Sequence, residues 1–407
     1  MAWHAGPRVL RLFSGVIAST AVARHLGPVE FGVLSFATMV ASLFGILAQM
    51  GSLDVVIRNA ATFPGQIPSM IQAAFKIRLA GALLAGVGIL IIPLWLGHRS
   101  VYWILAVLPL TLVPDCIEAA FYGRGQFQAM APLRAVSATL GLAVRLAMVA
   151  RQAPIEAFAA ITVFEGVITG VLLLCSRPWL SVPATNREIY SARNLLQQSF
   201  PLMASGIIVA VMLKLDQFML QTFRPGEDVG HYYVVVRLFE TAGILIPSIV
   251  AVLLPGLAQL YGSSEAEYRS KMVVIYRRTY QVGLAGAVLA CLLAPLVIPS
   301  LFGSEYKASV PIFMAYAFSF PSFAVGSIRA MEFVISNKNQ NHLLVSLVLL
   351  PFQIILCMAG IFWHGPVGLA AAMALVAFVS TTLLSFALPP LKENWSLQKE
   401  ALSSIWK

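Results

Sequence analysis

Arg145, Lys214, Arg237 and Arg329 interrupt stretches of sequence that are otherwise apolar, and so do Asp115, Glu118, Glu165, Asp216, Glu240 and Glu332. In a bilayer such residues cost about 2.5–3.5 kcal/mol each on insertion scales, and the set on the order of 25–35 kcal/mol if it faced lipid. They must therefore face a wet cavity or one another. Arg237 and Glu240 stand three apart, as do Arg329 and Glu332, so each pair shares a helix face and could neutralise itself. Alternatively the arginines are free to grip an anion, since a planar guanidinium fork matches phosphate oxygens. Arg145 and Lys214 have no acidic residue three or four positions away. They are the better candidates for an anion site, against snorkelling to the outer surface. Asp115 and Glu118 share a face, Glu165 lies near mid-span, and Asp216 follows Lys214. These carboxylates could couple transport to protons or sodium, or could simply pair with bases from neighbouring helices.

No residue pattern speaks for catalysis or a resident cofactor. The sequence has no phosphate-binding Walker loop, zinc-ligand spacing or nucleophile elbow, so no catalytic residue, metal ligand or cofactor is expected. Cys116, Cys175, Cys291 and Cys357 sit in apolar runs and read as small hydrophobes. Asn394-Trp395-Ser396 spells a glycosylation sequon, discounted because it falls on the cytoplasmic side of the topology below.

The elements that position these charges are membrane spans. The 407 residues are 59% hydrophobic and only 11% charged, with a mean hydropathy of +0.84. Soluble domains run near roughly 45–50% and 25%. Windows long enough to cross a bilayer fall at about 9–23, 31–50, 76–96, 101–122, 132–150, 154–175, 199–222, 232–257, 279–302, 309–336, 342–363 and 366–388. The first, with Arg8 and Arg11 ahead of it and Ala21-Val22-Ala23 at its end, fits a spanning helix or a signal peptide. The spans that follow favour the helix. Of the 27 Lys and Arg, only Arg24, Arg99, Arg151, Arg224 and Lys307 fall in odd-numbered loops. Apart from the four within spans, the rest lie at the termini and even loops, among them Arg78, Arg134, Arg177, Arg187 and Lys407. By the positive-inside rule both ends are cytoplasmic. Arg269, Lys271, Arg277 and Arg278 are expected on an interfacial helix. The net charge of +10 is scattered along the chain, which speaks for anionic headgroups and against nucleic acid.

The chain also repeats itself. Leu79–Gly86, LAGALLAG, recurs as Leu284–Cys291, LAGAVLAC, each followed by a proline-containing stretch, ending at Gly97 and Gly303. GPVEFG ending at Gly32 echoes GEDVG ending at Gly230. Two matches in one order at similar shifts argue for a six-plus-six duplication with parallel halves, an architecture of transporters. The domains expected are a bundle over 1–180, a cytoplasmic linker over 181–198 and a second bundle with a short tail over 199–407. Gly27, Gly32, Gly226 and Gly230 are expected in tight turns.

Short motifs carry a family resemblance. Ala23-Arg24-His25-Leu26-Gly27-Pro28-Val29-Glu30-Phe31-Gly32 resembles the turn between the first two helices of polysaccharide flippases. Asp228-Val229-Gly230-His231-Tyr232-Tyr233 is similar to the turn opening their eighth helix, and Asp216-Gln217 to the motif before it. Leu301-Phe302-Gly303-Ser304-Glu305-Tyr306-Lys307-Ala308 resembles the segment after their ninth helix. In order and spacing these cover most of the chain and resemble the O-antigen and exopolysaccharide flippases of the multidrug/oligosaccharidyl-lipid/polysaccharide superfamily. The resemblance implies an all-α polytopic membrane protein with about twelve transmembrane helices in two six-helix bundles around a central cavity. It implies alternating access and a polyprenyl-pyrophosphate-linked glycan as cargo in a bacterial inner membrane, with membrane lipid and polysaccharide polymerase machinery as partners. A cation-coupled multidrug or small-metabolite exporter of the same superfamily is the alternative. A mainly cationic cavity would favour the first, and a carboxylate-dominated one the second. A glycan polymerase usually needs a substantial periplasmic loop presenting catalytic residues, and none is visible. A scaffold gains nothing from buried charge.

Overall fold

The computed structural model describes residues 2–92, 99–176, 190–243, 245–336, 338 and 340–404. Among them there is no strand. The chain folds into two compact units, Met1–Lys214 and Leu215–Lys407. The division falls inside a continuous helix, whereas the sequence placed a linker at 181–198. Of that segment 181–189 lie outside the described residues, and a helix is under way from Ala192.

The first unit begins with α1 (Ala2–Gln49), which breaks at Gly27, φ 69°. An L-residue with a side chain rarely adopts that backbone, so a glycine stands there. After Gly51, φ 61°, come α2 (Ser52–Thr62) and α3 (Ile67–Ile91). The next span is broken into α4 (Arg99–Leu105), α5 (Leu108–Thr111) and α6 (Asp115–Gly123), with Pro114 just before the last. Proline lacks the N–H that would continue the ladder. The hairpin of α7 (Phe127–Ala150) and α8 (Ile155–Cys175) follows, then α9 (Ala192–Phe223), which carries the chain into the second unit.

That unit holds α10 (Glu227–Gly243), α11 (Leu245–Ser263), α12 (Glu265–Phe302), α13 (Ser309–Ala317) and α14 (Ser319–Ile335). Then come α15 (Gln340–Phe378), a wide π-helical turn over Val379–Leu383, α16 (Leu384–Ala387) and α17 (Lys392–Ser403). α15 breaks at His364 and Gly365, the latter at φ 58°.

Among the described residues eight helices are long and apolar enough to cross a membrane, or nine with the bent pair Ser304–Ala317 and Ser319–Ile335. Two of them, Ser14–Gln49 and Leu344–Ala387, are 36 and 44 residues long. At 1.5 Å per residue these measure ~54 and ~66 Å, against a hydrocarbon core of about 30 Å. Since each contains a glycine break, each is two spans. α10 and α11, on either side of Ile244, supply the one remaining, which accounts for the twelve expected. The protein is a multi-pass membrane protein.

Each unit has its own core. In the first, Val55, Ile71, Ile117 and Phe121 pack α2, α3 and α6 together. In the second, Met272, Tyr276, Val325, Ile328 and Leu397 join α12, α14 and α17. Outward-facing α12 residues such as Val282, Leu292 and Leu296 are left exposed, as a lipid-facing surface requires.

Three sequence readings are corrected here. Gly32 and Gly230 lie inside α1 and α10, so of the four proposed turn glycines only Gly27 and Gly226 have positive φ. Arg269, Lys271, Arg277 and Arg278 form no separate interfacial helix. They occupy the first turns of α12, whose N-terminus is capped by Ser264 Oγ accepting from Glu267 N at 3.4 Å. Arg78 and Arg134, counted with the loop charges, belong to α3 and α7. Arg177, Arg187 and Lys407 of that count, and Gly97 of the repeat, lie outside the described residues.

Candidate functional site

In the first unit α6 presents Asp115 and Glu118 on one face, as their spacing requires. One guanidinium from α7 meets both. Arg134 Nη2 donates to Asp115 Oδ1 at 3.2 Å, and Arg134 Nε to Glu118 Oε2 at 3.1 Å; Nη2 also contacts Glu118 Oε2. Tyr122, one turn after Glu118, donates its hydroxyl to Glu118 Oε1. Two carboxylates thus share one cation.

Nearby, Arg78 on α3 is completely buried. Its Nε donates to Ser52 Oγ at 2.8 Å and its Nη1 to the Leu112 carbonyl at 3.3 Å. Its Nη2 has no hydrogen-bond partner, and no carboxylate closes on it as an ion pair. Ser52 follows the break at Gly51 and Leu112 lies in the break before α6. One enclosed guanidinium therefore ties two interruptions of the helical backbone. The sequence did contain a signal for it, a lone arginine between the small apolar residues Ala74 and Gly81, but nearby Lys76 made it read as a loop charge.

Farther along α7, Arg145 Nη2 pairs with Glu165 Oε2 of α8 at 2.7 Å, the two side chains 20% and 29% exposed. The expected anion-site arginine thus has an acidic partner, brought by the neighbouring helix. Lys214, the other expected anion ligand, is half-buried on α9.

In the second unit Asp216 is enclosed, its Oδ2 accepting from the Tyr232 hydroxyl at 2.7 Å. Arg237 and Glu240 are both exposed on α10. Arg329 and Glu332 do not neutralise each other, because each turns to different neighbours. Arg329 Nη1 donates to the Ser380 carbonyl and to Ser385 Oγ at 3.3 Å, its Nη2 to Ser380 Oγ at 3.2 Å. Glu332 Oε2 accepts from Tyr276 OH at 2.9 Å and Asn394 Nδ2 at 2.6 Å. Asn394, the sequon asparagine, is buried in this contact. Gln398 of α17 adds a bond from Nε2 to the Thr381 carbonyl at 3.2 Å. The wide turn leaves Ser380 and Thr381 carbonyls within reach of side-chain donors.

The structure thus sorts the candidates. Arg145 and Lys214 belong to the first unit, Arg237 and Arg329 to the second. Arg329 is enclosed by its partners, while Arg145 remains partly open inside an apolar span. The partners from other helices, Arg134, Tyr232, Tyr276 and Asn394, left no trace in local spacing.

These spans and buried charges define a class, the helical membrane transporters, and known structures share the fold. A structure of the lipid II flippase MurJ in an inward closed conformation superposes with a TM-score of 0.73 at 15% identity, covering 100% of this chain and 91% of that one. An inward-facing multidrug resistance MATE family transporter of the MOP superfamily gives 0.68 at 15% identity, covering 96% of each chain. A MATE transporter in its bent conformation gives 0.62 at 16%, covering 97% and 95%. No curated protein sequence matches the chain. The family model described as polysaccharide biosynthesis protein matches residues 21–311. The chain belongs to that family. It is a membrane transporter of the flippase type and not a catalyst.

Proposed function

We propose that this protein flips polyprenyl-pyrophosphate-linked oligosaccharide units across a bacterial inner membrane by alternating access, supplying a surface polysaccharide such as O-antigen, capsule or exopolysaccharide. The observation that carries the reading is Arg145, a guanidinium left partly accessible within the span Pro132–Ala150 of a chain in a polysaccharide family. Pyrophosphate oxygens are the natural ligands of such a fork. Lys214 and exposed Arg237 are offered as further cationic contacts along the path. Arg329 is assigned instead to holding the π-helical turn, since its donors are taken. The likeness to a lipid II flippase supports a lipid-linked cargo. Both termini are proposed to be cytoplasmic, and the polymerase that consumes the flipped unit is the expected partner.

The test is complementation of a strain lacking its own flippase for the matching glycan. Wild type is expected to restore surface polysaccharide, and Arg145→Ala and Lys214→Ala at equal expression to restore little. Full rescue by both variants would remove the anion site.

A second reading has one observation in its favour. Asp115 and Glu118 outnumber the single Arg134 that pairs with them, an acidic bias suited to cation-coupled export of cationic compounds, and the fold is also that of MATE transporters. Resistance to cationic dyes conferred by wild type and lost in Asp115→Asn would favour it.

A further inference from the structure

Arg145 is not waiting empty. Glu165 Oε2 stands 2.7 Å from its Nη2, and the helix carrying the arginine is shaped to admit that carboxylate. Gly141 lies one turn before Arg145 on the same face of α7. A Cβ at Gly141 would stand 2.9 Å from both Glu165 Cδ and Oε2. The acid therefore rests against bare backbone, in a seat that a side chain would fill. Both partners keep an open flank, at 20% and 29% exposure, unlike Arg78, which is sealed in.

A guanidinium held within an apolar span cannot simply lose its counter-charge, because an unpaired ion in low dielectric is strongly disfavoured. It can only exchange one anion for another. We infer that Glu165 is an internal competitor for the substrate's seat: it neutralises Arg145 in the empty transporter, is displaced by pyrophosphate oxygens, and returns when the cargo leaves. The inference rests on the reading that Arg145 meets pyrophosphate.

The arrangement sets specificity as well as release. The surrounding membrane abounds in phospholipids whose phosphodiester carries one negative charge. Such a group offers Arg145 no more charge than Glu165 does, and Glu165 is tethered in place. A pyrophosphate brings more charge and more acceptor oxygens to the fork, so it can displace the acid where a phosphodiester cannot. Discrimination then comes from what Glu165 excludes as much as from what Arg145 attracts.

The experiment is ligand binding to the purified full-length protein in detergent, read by native mass spectrometry, with farnesyl pyrophosphate and phosphatidylglycerol as probes. Wild type should bind farnesyl pyrophosphate, and Arg145→Ala should lose that binding. Glu165→Gln, which keeps the shape and removes the charge, should bind the pyrophosphate about tenfold tighter. It should gain still more for phosphatidylglycerol, so that selectivity falls. Gly141→Ala keeps both charges and pushes the acid from its seat; it should move both affinities in the same direction. If Arg145→Ala loses binding while Glu165→Gln and Gly141→Ala leave affinity and selectivity unchanged or weaker, Glu165 is only a structural partner; the exchange is then overturned and the pyrophosphate reading stands. If wild type and Glu165→Gln both fail to bind, or Arg145→Ala binds as wild type does, the pyrophosphate reading falls and the exchange with it.

Discussion

Arg134 holds two carboxylates at once, and its removal would strand both. A buried ion left without its partner is destabilising by about 3–5 kcal/mol, so Arg134→Ala should lower the thermal unfolding temperature of the purified protein sharply. Adding Asp115→Asn and Glu118→Gln to that variant should restore much of the loss, because the stranded charge is then gone. A triple variant no more stable than Arg134→Ala would mean that packing, and not charge, sustains the contact. Arg78 poses the opposite case, a cation with hydrogen bonds but no ion pair. Arg78→Lys keeps the charge yet cannot reach Ser52 and Leu112 as a fork does. It should cost stability and slow transport together, while Arg78→Met should keep more of the fold than Arg78→Ala. Local spacing made Asp115 and Glu118 legible as one face, but it could not supply Arg134 from the next helix. Nor could it foresee that Arg329 and Glu332, three apart, would part company. Residues so spaced differ by about 60° around a helix, enough for each to follow a different neighbour. Partner choice between helices belongs to packing, and no single segment encodes it.

At the scale of elements, the breaks matter more than the rods. Within α15 the halves on either side of Gly365 meet at bare backbone: a Cβ on Gly360 would stand 2.4 Å from the Gly368 carbonyl oxygen. Gly360→Ala must spread the hairpin and should cost about 1–3 kcal/mol, the usual penalty of overpacking, measurable as a lowered unfolding temperature. These breaks were legible as Gly-Pro steps, Gly27-Pro28 and Gly365-Pro366, because glycine and proline punctuate local structure by their own sterics. The docking of α17 was not legible, since Asn394 looked like a modification signal. Its outer rim is held by Lys338 Nζ on Glu393 Oε2 at 2.6 Å and Arg269 on Glu400 at 3.2 Å. The hydrogen bond to Glu393 pushes the Lys338 ammonium above the ordinary lysine range. A raised base stabilises the fold while protonated and loses that contribution as pH climbs through its folded value. The rim should therefore hold through neutral pH and loosen only in strong alkali. Proteolysis of α17 followed against pH and salt would check this, and Lys338→Ala should abolish the alkaline step.

For the whole molecule, apolar windows, charge asymmetry and a weak internal repeat together revealed a twelve-span transporter, because bilayer thickness and charge insertion constrain the entire chain at once. The division into units at Lys214 and Leu215 was not readable, as nothing in the local sequence of α9 marks it. The proposed topology makes its own prediction. In a cysteine-free background, Lys399→Cys on α17 should react with a membrane-impermeant maleimide only in opened vesicles or from the inner face. Gln152→Cys, in the turn between α7 and α8, should react from outside intact cells. Labelling of both from the same side would reverse the helix count or the orientation.

The wide turn at Val379–Leu383 behaves like a spare link spliced into a spring. Deleting one residue there would let the coil tighten to its regular pitch and would rotate Ser385 and all that follows by about 100°. Arg329 would then point into grease with nothing to grasp, and α17 would arrive facing the wrong way.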